Sequence, residues 1–311
     1  MQTTLIPYSS LPAERIGQHP AQQLPAAIRI GTVHLAVANL DRSLVFYQGV
    51  LGFELLRRVS TANGQADVAE LGVAGSSEVL VALYEQPGAR PVPRRGRLGI
   101  YHFAVLLPTR ADLGRFLRHA QAQGVQVGSS DHLYSEATYL TDPDGFTVEV
   151  YRDRPRREWL VTAEGEVQSA LDPLDVAGVL QAAGTTPWQG LPAGTTMGHL
   201  HFYTGSLPQA AAFYHQALGL DVVTWSLPGA LFVSAGGYHH HLGLNVWAAG
   251  SPAATDADAR LLHWELWLPD ASSRDAAALR LGQAGSPVAA TPEGPMVTDP
   301  WGIRLLLRAE A

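Results

Sequence analysis

One pattern occurs four times along this chain, and it limits the fold more than any other feature of the sequence. GTVHLAVANLDRSLVFYQGVLGFEL, from Gly31, matches GHLHFYTGSLPQAAAFYHQALGLDV, from Gly198, without a gap. His34 stands twelve residues before Phe46, as His201 stands twelve before Phe213. Fainter copies begin at Tyr101 (YHFAVLLPTRADLGRFLRHAQAQGV) and Leu262 (LHWELWLPDASSRDAAALRLGQAGS). In these, His102 precedes Pro108 by six residues and His263 precedes Pro269 by six. Each copy opens with an apolar strand, turns through polar residues and enters an amphipathic helix. The helices are expected to stop at Gly52, Gly124, Gly219 and Gly285, because a left-handed residue suits a helix C-terminus. Short strands punctuated by Gly and turn residues follow each helix.

The expected class is therefore α+β, built from four β-α-β-β-β units. A single unit has a sheet face that it cannot bury by itself. Two units side by side make an incomplete barrel around a cup, with helices outside. Neighbours in sequence are the expected partners, so that one two-unit domain covers 28–153 and a second covers 197–309. The intervening 154–196 is a linker. Its DPLDVAGVLQAAG stretch reads as a short helix capped at Asp172, with Pro173 in the first turn.

Composition removes several functions. The 311 residues carry a net charge of −7, which argues against a general nucleic-acid binder. All 21 basic residues are Arg, a bias given no functional weight. With no Cys, thiolate catalysis, disulfides and Cys-based metal sites are excluded, so the 12 His and the carboxylates carry any metal chemistry. The start, MQTTLIPYSSLPAERIG, has neither a basic nor an apolar run, so no signal peptide is read there. No apolar stretch approaches the ~20 residues of a membrane span. A cytoplasmic protein is the expectation.

His34 and His102 occupy the opening strands of the first two units, and Glu149 the closing strand of the second. A carboxylate between Val148 and Val150 is costly to bury without a cation or hydrogen-bond donors. Two neutral imidazoles and one carboxylate are a donor set that leaves one face of an octahedral metal open. These three are the expected ligands. The first unit closes near Ala82, which cannot ligate.

The four ordered repeats, from about Ile28 to Arg308, resemble the vicinal oxygen chelate superfamily of glyoxalases, extradiol dioxygenases and bleomycin-resistance proteins. Within SDHLYSEATYLTDPDGFTVEVY, His132, Tyr139, the Asp142-Pro143-Asp144-Gly145 turn and Glu149 resemble the extradiol ring-cleavage signature. Thr138 stands where an aliphatic residue is usual. The resemblance implies Fe(II), with Mn(II) or another divalent metal as alternative. It implies a catechol or related vicinal diol and O2 as substrates. His132 would shuttle a proton and Tyr139 would orient a substrate oxygen.

The second half keeps His201 and His263 but has Leu306 where Glu149 stands. Its cup is polar, with His239, His241 and Asn245 expected on one strand face and His263 and Glu265 on another. The His-His element there resembles the segment that carries an acid–base His in extradiol enzymes. It has no counterpart in the first half, so the extradiol features are divided between halves. A glyoxalase-like lyase or isomerase, which wants a second carboxylate, and a ligand-sequestering protein of the bleomycin-resistance kind are the alternatives. A solvated or interface strand is the plain reading of His239, His240 and His241. Edge strands of such half-barrels often pair, which leaves a homodimer open.

Overall fold

The computed structural model describes residues 4–60 and 67–310. It contains the four expected units. Their opening strands are Arg29–Val37, Gly99–Leu106, Thr196–Tyr203 and Arg260–Leu268. Their helices are Leu40–Gly49, Arg110–Ala122, Leu207–Ala217 (its last two turns π-type) and Ala271–Gln283. The closing strands are Val79–Glu85, Thr147–Asp153, Leu242–Asn245 and Arg304–Ala309.

Each helix starts on a side-chain cap, where an oxygen satisfies a backbone N–H that the first turn leaves open. Asn39, Thr109, Ser206 and Asp270 accept from Arg42, Asp112, Gln209 and Ser273. The expected stops hold, for Gly52, Gly124, Gly219 and Gly285 all have φ between 67° and 107°. The linker helix is Val176–Ala182, capped by Asp175 and not by Asp172. Leu174 is buried and the carbonyl of Asp172 pairs back to Asp131, so the chain at Asp172 is still extended.

The sheets do not join neighbours in sequence. One eight-stranded sheet contains the second and third units, the other the first and fourth. At the centre of each, two opening strands run antiparallel, Gly99–Leu106 against Thr196–Tyr203 and Arg29–Val37 against Arg260–Leu268. Each opening strand is flanked by the parallel closing strand of its own unit. The pairing expected from 28–153 and 197–309 is thus exchanged: the inner unit of each half meets the inner unit of the other.

The halves remain stitched through their helices and turns. The Tyr47 hydroxyl, on the first helix, donates to Asp142 in the Asp-Pro-Asp-Gly turn of the second unit, at 3.1 Å. Tyr214 and Asp299 repeat this between the third and fourth units, at 2.9 Å. Each Asp also accepts two backbone N–H bonds across its turn. Burial raises the Asp142 carboxyl to about 7 and the Asp299 carboxyl to about 6. Burial of Phe103, Phe116, Phe202 and Trp264 fills the space between sheets and helices.

Candidate metal centre

One rung of the inner sheet crosses four strands. His199 faces Ala104, Ala104 faces Glu149, and Glu149 faces Tyr139. His102 lies two residues before Ala104 and so projects from the same face. Ala104 has only a methyl group, which leaves room for larger neighbours to converge over it. The Nε2 atoms of His102 and His199 each lie 3.1 Å from Oε2 of Glu149 and 3.4 Å from one another. All three side chains are buried.

This triangle fits a divalent cation. Both imidazoles aim Nε2 at one carboxylate oxygen. Protonating both sets two N–H groups against each other, and protonating one or neither leaves an imidazole lone pair facing the carboxylate oxygen. Ligand atoms about 2.1 Å from a metal and at right angles are about 3.0 Å apart, close to the spacing present. Burial alone would raise the Glu149 carboxyl, but His199 and His102 outweigh it and hold the group well below the usual carboxylate range. Burial lowers His199 to about 4, favouring the neutral imidazole that binds metal. Among the described residues, His102, Glu149 and His199 form the one group whose three ligand atoms lie within 4.8 Å of each other.

His34 is not part of it. It lies on the outer sheet, directly opposite His263, because the first unit pairs with the fourth. The residue that joins His102 and Glu149 is His199, which the gap-free repeat alignment passes over in favour of His201. The available signal was the alternation in Gly198-His-Leu-His: both imidazoles face one side of that strand. His201 pairs with His102 in register, but its Nε2 accepts from Asn245 Nδ2 at 3.0 Å. Asn245 occupies the closing-strand place that Glu149 holds in the partner unit.

Two hydrogen-bonded chains flank the triangle. His132 Nδ1 donates to the Ala170 carbonyl at 2.8 Å, so its Nε2 accepts from the Tyr139 hydroxyl at 2.7 Å. Burial, and then the Glu149 charge, push the Tyr139 hydroxyl well above its ordinary value. The second chain comes from the three consecutive histidines. These are not on a strand, which begins only at Leu242, and they are buried rather than solvated. His239 Nε2 donates to Asp153 Oδ1 at 2.8 Å, and its Nδ1 accepts from His240 Nδ1 at 2.9 Å. His240, the middle residue, is therefore left with a bare Nε2, and it lines the cavity beside His199. His241 turns the other way, to the Ser234 hydroxyl. The expectation that His239 and His241 share a face with Asn245 fails because the turn before Leu242 disperses the three rings.

The cavity holding these groups has a volume of about 590 Å³. Tyr101, Tyr134, Phe232 and Trp247 form its walls, and Ser169 and Leu171 of the linker close one side. The outer sheet has a comparable cup of about 710 Å³ with different contents. There His34 and His263 stack face to face at 3.8 Å. Glu265 lies 3.5 Å from His34 Nε2 and accepts from Trp267 Nε1 at 3.0 Å. The rung equivalent to Glu149 carries Leu306, as expected, and Tyr84 in the first unit; Ala82, expected there, faces His34 instead.

A family model of the Glyoxalase/Bleomycin resistance protein/Dioxygenase superfamily matches residues 29–150 and 196–307. The chain belongs to that superfamily. It is 40% identical over 274 residues to catechol-2,3-dioxygenase of Bacillus subtilis (strain 168), covering 87% of this chain and 93% of that protein. Two solved structures share the superfamily fold. A candidate dioxygenase from Bacillus subtilis subsp. subtilis str. 168 aligns with a TM-score of 0.64 at 15% identity, covering 92% of this chain and 86% of that one. Glyoxalase I from Zea mays aligns at 0.56 and 17% identity, covering 90% and 92%. Among the described residues no helix is long and apolar enough to cross a membrane.

Proposed function

We propose that the protein is a metal-dependent extradiol ring-cleaving dioxygenase acting on catechol or a related vicinal diol, with Fe(II) held by His102, His199 and Glu149. The observation that carries this reading is the convergence of that triangle with two separate proton-handling chains in one buried cavity. The 40% identity to a catechol-2,3-dioxygenase supports it. Mn(II) suits the same ligands. When bound, the metal supplies the Lewis acidity that lowers a phenol pKa and the redox chemistry that lets O2 react with an anionic diol.

The chain's own residues do the rest. His240 Nε2, bare and facing the cavity, takes the diol proton as a general base. Asp153 and His239 hold it in that tautomer. Tyr139 donates its hydroxyl hydrogen to His132 Nε2, so its oxygen is an acceptor for a substrate hydroxyl. His132 acts through Tyr139 by holding the hydroxyl in that orientation. The aromatic walls sandwich a planar ring, and the linker side excludes bulk water. A glyoxalase-like enediolate mechanism wants a second carboxylate, and Asn245 stands at that place.

The test is anaerobic reconstitution with Fe(II), followed by catechol and air. O2 uptake with formation of a yellow ring-cleaved chromophore is expected. Absence of uptake across several catechols, with iron bound at one equivalent, defeats the proposal.

A further inference from the structure

The mouth of the inner cavity carries a feature that ring cleavage of a bare catechol does not require. Arg95 lines it and is the one cationic side chain among the lining residues. It has φ of 57°, a left-handed conformation that costs any side chain but glycine. The Gly96 N–H bond to the Pro93 carbonyl makes Arg95 the third residue of a β-turn, a place where a positive φ is normally given to Gly or Asn. Instead the strain falls on a long cation. Such outliers persist where the surroundings over-determine them, often at ligand sites.

The Arg95 carbonyl accepts from Ser251 Oγ at 3.2 Å, and Gly96 N–H bonds to Pro93 O at 3.2 Å. Leu98 N–H bonds to Pro252 O at 2.9 Å, and Arg97 pairs with Asp258 at 3.1 Å. The loop is therefore tied to the 251–258 segment on both sides of Arg95. Tyr203 lies against Tyr101, another lining residue, with ring centroids 4.8 Å apart and planes tilted by 38°. Among the described residues Arg95 forms no ion pair with a carboxylate, whereas Arg90 and Arg97 of the same loop both pair with Asp258. The cavity volume of about 590 Å³ lies in the range of sites for drug-sized ligands, which leaves space beyond a single ring.

We infer that the substrate class is an anionic diol: a catechol with a carboxylate on the side of the ring away from the hydroxyls, held at the mouth by Arg95. This rests on the dioxygenase reading for the other end of the ligand. The cavity would then be read from floor to mouth as diol, aromatic ring and acid. A guanidinium suits the acid because its fork matches a carboxylate. The cation at the mouth also draws anions toward the entrance of a protein of net negative charge.

The experiment uses the Fe(II)-loaded protein with 3,4-dihydroxyphenylacetate and 4-methylcatechol, a neutral diol of similar shape. The acid is expected to have roughly tenfold higher kcat/KM, expressed in KM. Arg95→Gln and Arg95→Ala should erase that preference while leaving kcat for 4-methylcatechol within about twofold, and Arg95→Lys should keep part of it. Raising ionic strength should shrink the preference in the parent only. Calorimetric titration of the two ligands gives the same comparison without turnover. Equal KM and equal binding for both diols, or a preference that survives Arg95→Gln, overturns the inference even if both diols are cleaved. Tighter binding of the acid that depends on Arg95, with no cleavage of either diol, upholds the anion site and defeats the dioxygenase reading.

Discussion

The two cups are built from equivalent units but carry different residues on the rung beside their facing histidines. In the inner cup that rung reads His199, Ala104, Glu149, Tyr139. In the outer cup the matching places, counted from the facing pair His34 and His263, hold Thr32, Glu265, Leu306 and Met296. Both cups keep a pair of histidines facing across the central strands. The inner pair is spread by a neighbouring imidazole and a closing-strand carboxylate. The outer pair collapses into a stack, with its carboxylate on an opening strand and tied to Trp267. Stacked parallel rings cannot aim both lone pairs at one ion. Conserving the histidine pair is thus not enough to keep a metal site; the carboxylate must come from the closing strand, over a small residue.

The largest effect that bears on this difference is loss of metal. His199→Ala and Glu149→Ala should reduce bound Fe(II) from about one equivalent to below about 0.1 and activity at least about 10³-fold. His34→Ala and His263→Ala should leave both near the parent level, as measured by metal analysis and O2 uptake. If His34→Ala removes the metal and His199→Ala does not, the assignment of cups is reversed.

Next in size is a gain. Thr32→His, Glu265→Ala and Leu306→Glu together place the inner-cup rung in the outer cup beside His263. The triple variant should bind a second equivalent of divalent metal, whereas Leu306→Glu alone should not. A single substitution that suffices would show that the rung matters less than the closing-strand carboxylate.

A smaller effect concerns the Asp153–His239–His240 chain, which the outer cup lacks. Asp153→Ala and His239→Phe should lower kcat about 10- to 100-fold with KM little changed, since His240 would lose its fixed tautomer but not its place. His239→Gln, which still donates and accepts, should recover part of the loss. Equal losses in the two His239 variants, with KM rising, would indicate packing only.

The smallest effect on the site comes from the two Tyr–Asp stitches. Burial raises both Asp pKa values in the folded state, so the folded protein holds these protons more tightly than the unfolded chain. Stability from them is complete below about pH 4 and is lost as pH rises through about 7 for Asp142 and about 6 for Asp299. The loss is at most roughly 4 and roughly 3 kcal/mol. Asp142→Asn should flatten the fall in denaturant midpoint between pH 4 and 7 more than Asp299→Asn does, with metal content unchanged.

Local order was legible in the sequence: four units, their helix stops, and Leu306 in place of Glu149, whereas the one cap read there, Asp172, lies three residues before the actual cap Asp175. Spacing and periodicity decide these within one unit. Which units share a sheet is a different matter. Every unit presents a similar apolar edge, so composition gives no preference between sequential and exchanged partners, and only packing of the whole chain selects one. That selection removed His34 from the site and brought in His199. It also reunited the histidine turn at His240 with the extradiol-like strands, joining features that the linear order had divided between halves. The residue types were set by the sequence, but a metal centre is a statement about distances, and tertiary pairing alone brings two imidazoles and a carboxylate to within 3.1–3.4 Å.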